Sequence, residues 1–400
     1  MSHHFLMLIA YLLITFDIAA QSGDIHGVVF DNSTQYPLSA ASVYYKDGTA
    51  GTITNNEGEF TLERVENKTI VISYLGYETL EYNQNSLPKF IYLIPSSIQL
   101  PELIVLSIDE KKLINDIWKK YYQIYETEKN SIKNTPFTFF YRQITRSDST
   151  YSEFIECFFT GTNTYGVYNF NLQKGRYAKV DLSPGFSFTF TNFFQLLQVR
   201  PFHQSPPPRN VFNTFIQPNF DKLFDVKVEK ITNSTTSGDV ITLEFTPKRD
   251  IKEKNIFPGK LHVLLDDNSI VRFEGIIPDI GKGNPNIKKS NLFFTINYKK
   301  GVKRYPIVET VKCTADFDIL YDDIIHTAKI DAILFDCSYR FSDKTGRKLT
   351  HNDFLLESIE KTPDSQEFWV NNPIVKRTSK EEFIVKTFIS KKVFGNFKIE

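Results

Sequence analysis

Four hundred residues are enough for two or three domains of ordinary size. The 47 basic and 47 acidic residues cancel, so no global field draws the chain to nucleic acid or to anionic lipid. Aromatic residues make up 14%, with 36 Phe and 20 Tyr, so rings must supply much of the core volume, and broad rings favour the pleated faces of sheets.

The chain opens with an apolar run of twelve, Phe5 to Phe16, "FLMLIAYLLITF". That is too short to span a bilayer and suits the core of a signal peptide. Ala19 and Ala20 offer a small-residue cleavage point before Gln21, although Ile18 sits third back and His3 and His4 stand where Lys or Arg is usual. The expectation is a signal peptide at residues 1–20, with no transmembrane segment in the mature chain. A hydrophobic N-terminal strand or anchor helix is the alternative.

Residues 21–98 read as short strands and tight turns. "IHGVVF" is a first strand, "AASVYYKDG" a second closed by the hairpin signal Asp47-Gly48, and "GTITNNEGEFTLERV", "KTIVISYLGYETLEY" and "KFIYLIP" follow. Several strands of this length in so few positions fit a compact β-sandwich. Residues 99–136 form a connector and an amphipathic helix. Leu113, Ile117, Tyr121 and Ile124 recur at helical spacing, with Ile114, Trp118 and Tyr125 widening the stripe.

From 137 to 340 the pattern is antiparallel sheet: "TFFYRQIT", "YSEFIECFFTG", "VKVEKIT", "DVITLEFTP", "GKLHVLLDDNSIVRFEGII", "NLFFTINYKK", "YPIVETVKCTADFDI" and "HTAKIDAILFD". An aromatic segment, Phe186 to Phe194 and Phe212 to Phe220, flanks the triple proline Pro206 to Pro208 and reads as a lid, an insertion or a cavity lining. Residues 341–400 form a C-terminal extension packed on the β domain. There "HNDFLLESIEK" reads as a short helix and "EEFIVKTFISKKVFGNFKIE" as strand-like alternation. The fold class expected is mainly β, a small N-terminal sandwich followed by a larger, strongly curved antiparallel sheet with a packed helix.

The N-terminal stretch resembles a carboxypeptidase regulatory-like domain, a prealbumin-like sandwich of the type found in Bacteroidetes envelope proteins. The resemblance rests on Gly27, Asp31, Pro37, Leu38, Ala41, Val43, Gly51, Thr54, Gly58, Phe60, Ile72, Gly76 and Tyr77. It implies an envelope location, the periplasm or the periplasmic face of the outer membrane. "ELIVLS", Glu102 to Ser107, resembles the extended segment that often follows this domain. With about 300 residues beyond it, the expectation is that no full receptor barrel follows. More weakly, "FPGKLHVLLDDNSIVRFEG" resembles periplasmic lipoprotein carriers, which implies an apolar cargo. In the residues themselves, Gly58 of "NNEGEF" is expected to take a left-handed turn conformation and Gly76 to permit a bulge or close approach. "TNNEG" lacks the alternating acidic ligands of a calcium loop.

The sequence offers no catalytic, cofactor-binding or metal-ligating motif. No His stands in an H-E-x-x-H arrangement, and no G-x-S-x-G elbow occurs. His26 and His262 are expected on sheet surfaces or edges, while His203 lies in the irregular "RPFHQSPPP". The acidic pairs Asp266-Asp267 and Asp322-Asp323 read as turns. Cys157, Cys313 and Cys337 show no metal spacing, and a Cys313–Cys337 bridge stays open.

The function expected is that of an exported, non-enzymatic envelope protein that binds a partner protein or an apolar, lipid-like ligand, with no nucleic acid and no cofactor. One alternative is a hydrolase whose site assembles from distant residues, with His203, His262 or His326 meeting a carboxylate or nucleophile. The other is a structural or assembly factor at the outer membrane, marked by an exposed apolar patch.

Overall fold

A computed structural model describes residues 23–99, 108–128, 135–164, 167–180, 215–236, 238–249, 256–281, 283–299, 306–337, 341, 346–350, 353–362, 368–369 and 375–395. The expected signal peptide, Glu102 to Ser107, His203, His351, the triple proline and Phe186 to Phe194 lie outside them.

Seven short strands build the sandwich: β1 (Ile25–Asp31), β2 (Ser42–Tyr45), β3 (Gly51–Ile53), β4 (Glu59–Leu62), β5 (Thr69–Ser73), β6 (Leu80–Asn83) and β7 (Phe90–Leu93). They form a sheet β4-β1-β7 and a sheet β3-β2-β5-β6. Alternate residues point inward, so Val29, Phe60 and Ile91 of one sheet meet Val43, Tyr45 and Ile72 of the other in a single core. Gly58 takes φ +74°, and a Cβ there would lie 2.5 Å from the Val29 carbonyl oxygen and 2.9 Å from Pro37 Cβ. Both the left-handed backbone and the close approach therefore require glycine. Gly76 serves a turn between β5 and β6, where the Tyr77 amide donates to the Tyr74 carbonyl at 3.1 Å, rather than a bulge within one strand.

The remaining strands form one open sheet. They are β8 (Ile98–Gln99), β9 (Thr135–Ser147), β10 (Thr150–Thr164), β11 (Val167–Lys179), β12 (Phe224–Thr232), β13 (Val240–Pro247), β14 (Gly259–Leu264), β15 (Ile270–Pro278), β16 (Ile287–Tyr298), β17 (Val308–Tyr321), β18 (Ile324–Asp336) and β19 (Arg347–Leu349). Their order across this twelve-stranded sheet is β19-β11-β10-β9-β18-β17-β16-β15-β14-β13-β12-β8. Every pairing in it is antiparallel. Asp322 and Asp323 both take positive φ in the two-residue β17–β18 turn, and Asn268 does so in the β14–β15 turn. Both acidic pairs are thus turn residues, as read from the sequence.

Register separates two faces. Leu243, Leu261, Phe273, Ile296, Val311, Leu334, Tyr141 and Cys157 lie directly opposite one another along one row. All are buried in the main core. Helix α1 (Glu110–Glu128) lays Ile114, Ile117 and Tyr121 on this inner face, and the Tyr121 hydroxyl accepts from the Ile270 amide at 2.9 Å. Of the aromatic segment, Phe215 stacks on Phe245 with ring centroids 4.3 Å apart. Phe220, in the short α2 (Phe220–Leu223), is likewise buried in that core. The described part of the segment fills the sheet's interior.

The outer face is covered by the sandwich and by the C-terminal segment. Ala40 and Ile53 of the sandwich pack with Phe140, Phe158 and Phe335 of the sheet and with Trp369 and Val375. The described residues of the tail include the helices α3 (Leu355–Glu360) and α4 (Ser379–Ser390). The second corrects the strand-like reading of "EEFIVKTFIS". Thr378 accepts from the Glu381 amide at 3.1 Å while the Glu381 carboxylate accepts from the Thr378 amide at 2.7 Å, a reciprocal cap that starts a helix. Its Ile384, Val385 and Phe388 then share one face and bury against Phe154 and Ala178. Cys157, Cys313 and Cys337 are all free thiols in buried positions.

Candidate functional site

One row of the outer face carries charge across ten strands. Its members, each opposite the next, are Lys227, Glu244, Lys260, Glu274, Thr295, Lys312, Ile333, Arg142, Glu156 and Arg176. Opposite charges on facing strands attract, and here they pair: Lys227 with Glu244 at 2.8 Å and Arg142 with Glu156 at 2.9 Å. Lys260 turns to Glu229 at 2.6 Å.

Glu156 is the best-buried member, 1% exposed, and three guanidinium groups converge on it: Arg142, Arg176 at 2.5 Å and Arg377 at 3.1 Å. Burial alone would raise its pKa. The three cations outweigh that and hold the carboxyl well below its usual range. Arg377 also reaches Glu382 at 3.1 Å, and Arg142 donates to the Val375 carbonyl at 2.8 Å. The cluster ties the start of α4 to the sheet.

The sandwich is tied to the sheet, to the β12–β13 loop and to the C-terminal segment at several points. Glu78 accepts from the Thr235 and Thr236 amides at 3.2 and 3.1 Å and from the Thr236 hydroxyl at 2.7 Å. These bonds, the Thr236 hydroxyl foremost, pull its pKa down to about 2. Ser42 donates to Glu309 at 2.9 Å, and Lys376 pairs with Glu59 at 3.0 Å. Glu57, in the "NNEGEF" turn, accepts from the Ser379 amide at 3.1 Å in the first turn of α4. The turn that marks the sandwich in the sequence is therefore also a contact between distant parts of the chain.

Between the sandwich, the outer face and α4 lies a cleft of about 590 Å³, within the size range of small-ligand sites. Ser39, Thr54 and Asn56 line it from the sandwich, Arg142, Lys312, Thr314 and Asp331 from the sheet, and Thr378 and Lys380 from the helix. Its wall is mixed and polar. A second cavity of about 300 Å³ separates Tyr44 and Tyr74 of the sandwich from Arg272 and Asn297 of the sheet. A third, about 490 Å³, shares Lys312, Cys313 and Thr314 with the cleft and runs past Phe293 and Ile276, which are 40% and 41% exposed.

His26 is exposed on β1 and pairs with the Thr61 hydroxyl at 3.0 Å. His326 pairs with Asp148 at 2.9 Å beside a hairpin. His262 departs from the surface position expected of it, being buried with Thr242 Oγ1 3.1 Å from Nδ1 and Glu274 Oε1 3.3 Å from Nε2. Burial lowers its pKa, and Glu274 opposes that only in part. A hydroxyl, an imidazole and a carboxylate thus stand in line, but Thr242 is 1% exposed and lines none of the three cavities. Among the described residues no group of three or more His, Cys, Asp or Glu is arranged to hold a metal ion. No described helix is long and apolar enough to cross a membrane.

Of the cleft residues, the sequence marks Thr54 and the "NNEGEF" turn only as features of the sandwich and none as a ligand contact. Glu156 and Arg142 stood in strand-like runs, and nothing local marks Lys312, since the cleft's walls come from positions near 39, 55, 142, 312 and 378.

Comparison with known proteins bears on parts of the chain. Residues 25–105 match the model of the CarboxypepD_reg-like domain, as the sequence suggests. A stretch of 76 residues is 40% identical to the TonB-dependent receptor SusC of Bacteroides thetaiotaomicron, covering 19% of this chain and 8% of that receptor. Among solved structures, a DUF1329 family protein from Desulfovibrio piger covers 57% of this chain and 94% of its own at 10% identity, with a TM-score of 0.21. A LolA superfamily protein from Nitrosomonas europaea covers 57% and 93% at 11% identity, with a TM-score of 0.17. MucB, solved in complex with MucA(peri), covers 56% and 94% at 9% identity, with a TM-score of 0.16. Scores this low carry no argument about ligand or activity. The match that does bear weight assigns the N-terminal sandwich to the CarboxypepD_reg-like domains.

Proposed function

We propose that this is an exported, non-enzymatic protein of the cell envelope that binds a ligand or partner in the cleft between its sandwich, its large sheet and α4. The cleft itself carries the reading. It has the volume of a ligand site, and its walls are held by the Glu156 cluster, the Glu78 contacts and the Glu57 cap. Pre-formed walls spare a ligand the entropy of ordering them. The envelope location rests on the kinship of the sandwich with a segment of a TonB-dependent receptor and on the signal-like N-terminus. The mixed lining favours a polar or amphipathic occupant there over a purely apolar one.

A photo-cross-linking residue at Thr314, inside the cleft, tests this in the protein's own envelope, with exposed Lys348 as the control position. Cross-linking to a species of defined mass from 314 and not from 348 supports the reading. Equal yields at the two positions, or none at either, contradict it.

A second reading, an assembly factor at the outer membrane, is favoured by one surface of the sandwich. Phe90, Tyr92 and Ile94 are 52%, 41% and 52% exposed, and Phe30 stacks on Tyr92 at 5.5 Å. Such a patch suits a protein contact. Loss of a co-purifying partner on Phe90→Ser with Tyr92→Ser, with cross-linking at 314 unchanged, would favour it.

A further inference from the structure

The charged row has one break. Lys227, Arg142 and Arg176 each face a carboxylate, and Lys260 finds Glu229. Lys312 is flanked instead by Thr295 and Ile333. It is half-buried, and among the described residues no carboxylate lies within 4 Å of its ammonium; it donates to the Ser39 hydroxyl at 2.7 Å. A cation withdrawn from water without a counter-charge is costly. The carboxylates on the cleft wall are otherwise engaged. Glu57 caps α4, Glu381 closes the cap at Thr378, and Asp331 accepts from Thr314 at 3.1 Å.

The cleft opens on Lys312, and among the described residues its lining holds five basic side chains against three acidic ones. Two of the basic ones, Arg146 and Lys329, face each other across β9 and β18 and make no ion pair with a described residue. They stand four residues along the strand from Lys312, about 13 Å at strand rise. Field lines from all three cations gather in the low-dielectric cleft.

We propose that the cleft is an oxyanion-binding site in which Lys312 holds the carboxylate or phosphate group of a ligand, with Arg146 and Lys329 drawing it in. The inference rests on the binding reading above and adds the chemistry of what is bound. Ser39 completes the anchor. Its hydroxyl accepts from Lys312 and donates to Asn56 at 2.7 Å, so the sandwich orients the ammonium toward the cleft. Burial, aided by Arg272, lowers the Lys312 pKa to about 8, and an anion beside it would raise that value again.

Trace acetylation of the full chain with an N-hydroxysuccinimide ester at pH 8, read by peptide mass spectrometry, tests this. Labelling is compared in sodium chloride, inorganic phosphate and citrate at equal ionic strength. The proposal expects Lys312 to label in chloride and to be slowed at least threefold by phosphate or citrate, while Lys227 and Lys260 keep their rates. Which of the two anions protects tells a phosphate ligand from a carboxylate one. Arg146→Gln with Lys329→Gln, both at exposed positions, should raise the half-protecting concentration at least threefold. Slowing of Lys312 no greater than that of Lys227 overturns the proposal, as does a Lys312 that fails to label in chloride. An unchanged half-protecting concentration in the double variant removes the role given to Arg146 and Lys329. A neutral species captured at Thr314 would overturn the oxyanion assignment and leave the binding reading standing. Protection of Lys312 with no species captured at Thr314 would keep the oxyanion chemistry of the cleft and withdraw the larger ligand or partner.

Discussion

Replacing Glu156 with Gln removes one negative charge and almost no volume, so it isolates the electrostatic role of the buried cluster. Three arginines then lose their common carboxylate. Arg142 keeps the Val375 carbonyl at 2.8 Å and Glu381 at 3.4 Å, and Arg377 keeps Glu382 at 3.1 Å. Among the described residues Arg176 keeps the faces of Trp369, Phe394 and Phe154, 4.9, 5.0 and 5.9 Å away, and no other carboxylate. Removing one partner of a buried ion pair costs about 3–5 kcal/mol. With two of the three arginines still partnered, the lower end is expected, about 3 kcal/mol, or roughly a hundredfold in the unfolding equilibrium. Urea unfolding followed by tryptophan fluorescence reads this directly, because Trp369 lies in the cluster and Trp118 reports on α1. The carboxyl's pKa is depressed from an ordinary 4.5 in the folded state. Its contribution is therefore complete above about pH 4.5 and is lost as pH falls toward the folded value. The wild type should lose stability through that acid window more steeply than Glu156→Gln. A variant within about 0.5 kcal/mol of the wild type at pH 7, the range of ordinary surface changes, would refute the reasoning.

Thr378→Ala removes the cap of α4 and should cost about 1 kcal/mol, seen as faster amide exchange in residues 379–382. Gly58→Ala places a methyl group against the Val29 carbonyl in a left-handed turn and should cost more than about 1 kcal/mol, read as a lower melting temperature. The depressed pKa of Glu78 means that its hold on the 234–236 loop is complete above about pH 4.5 and fades as pH falls toward 2, so amide protection at Thr235 and Thr236 should drop over that window. Glu78→Gln should show reduced protection there already at neutral pH.

The sandwich was legible because its signals are local: Gly58 in its turn, Asp47-Gly48 in its hairpin, and alternation along short strands. The helix stripe of Leu113, Ile117 and Tyr121 was legible for the same reason. β11 was not, because Asn169, Asn171, Gln173 and Lys174 dilute its alternation. Its Phe170 and Leu172 gain their place by pairing with Gly161 and Phe159 of β10. In the tail, the β-branched run of "FIVKTFI" masked a start signal that stands in the sequence, Thr378 three residues before Glu381. The cleft and the charged row were beyond local reading altogether. "EFIECFF" drew notice for its cysteine, and only the register of ten strands puts Glu156 between two arginines and leaves Lys312 without a carboxylate. His262 looked like a surface residue because its strand alternates, yet its neighbours Thr242 and Glu274 come from flanking strands and enclose it.

The central claim, that the cleft is a binding site, is tested most directly by native mass spectrometry of the protein purified from its own envelope, compared with a Thr314→Trp variant. Tryptophan at that half-buried strand position fills the cleft while suiting the sheet. The account predicts an added species of defined mass on the wild type that is missing from the variant, with both proteins unfolding at similar urea concentrations. A wild type with no added mass, or the same added mass on both proteins, would contradict it.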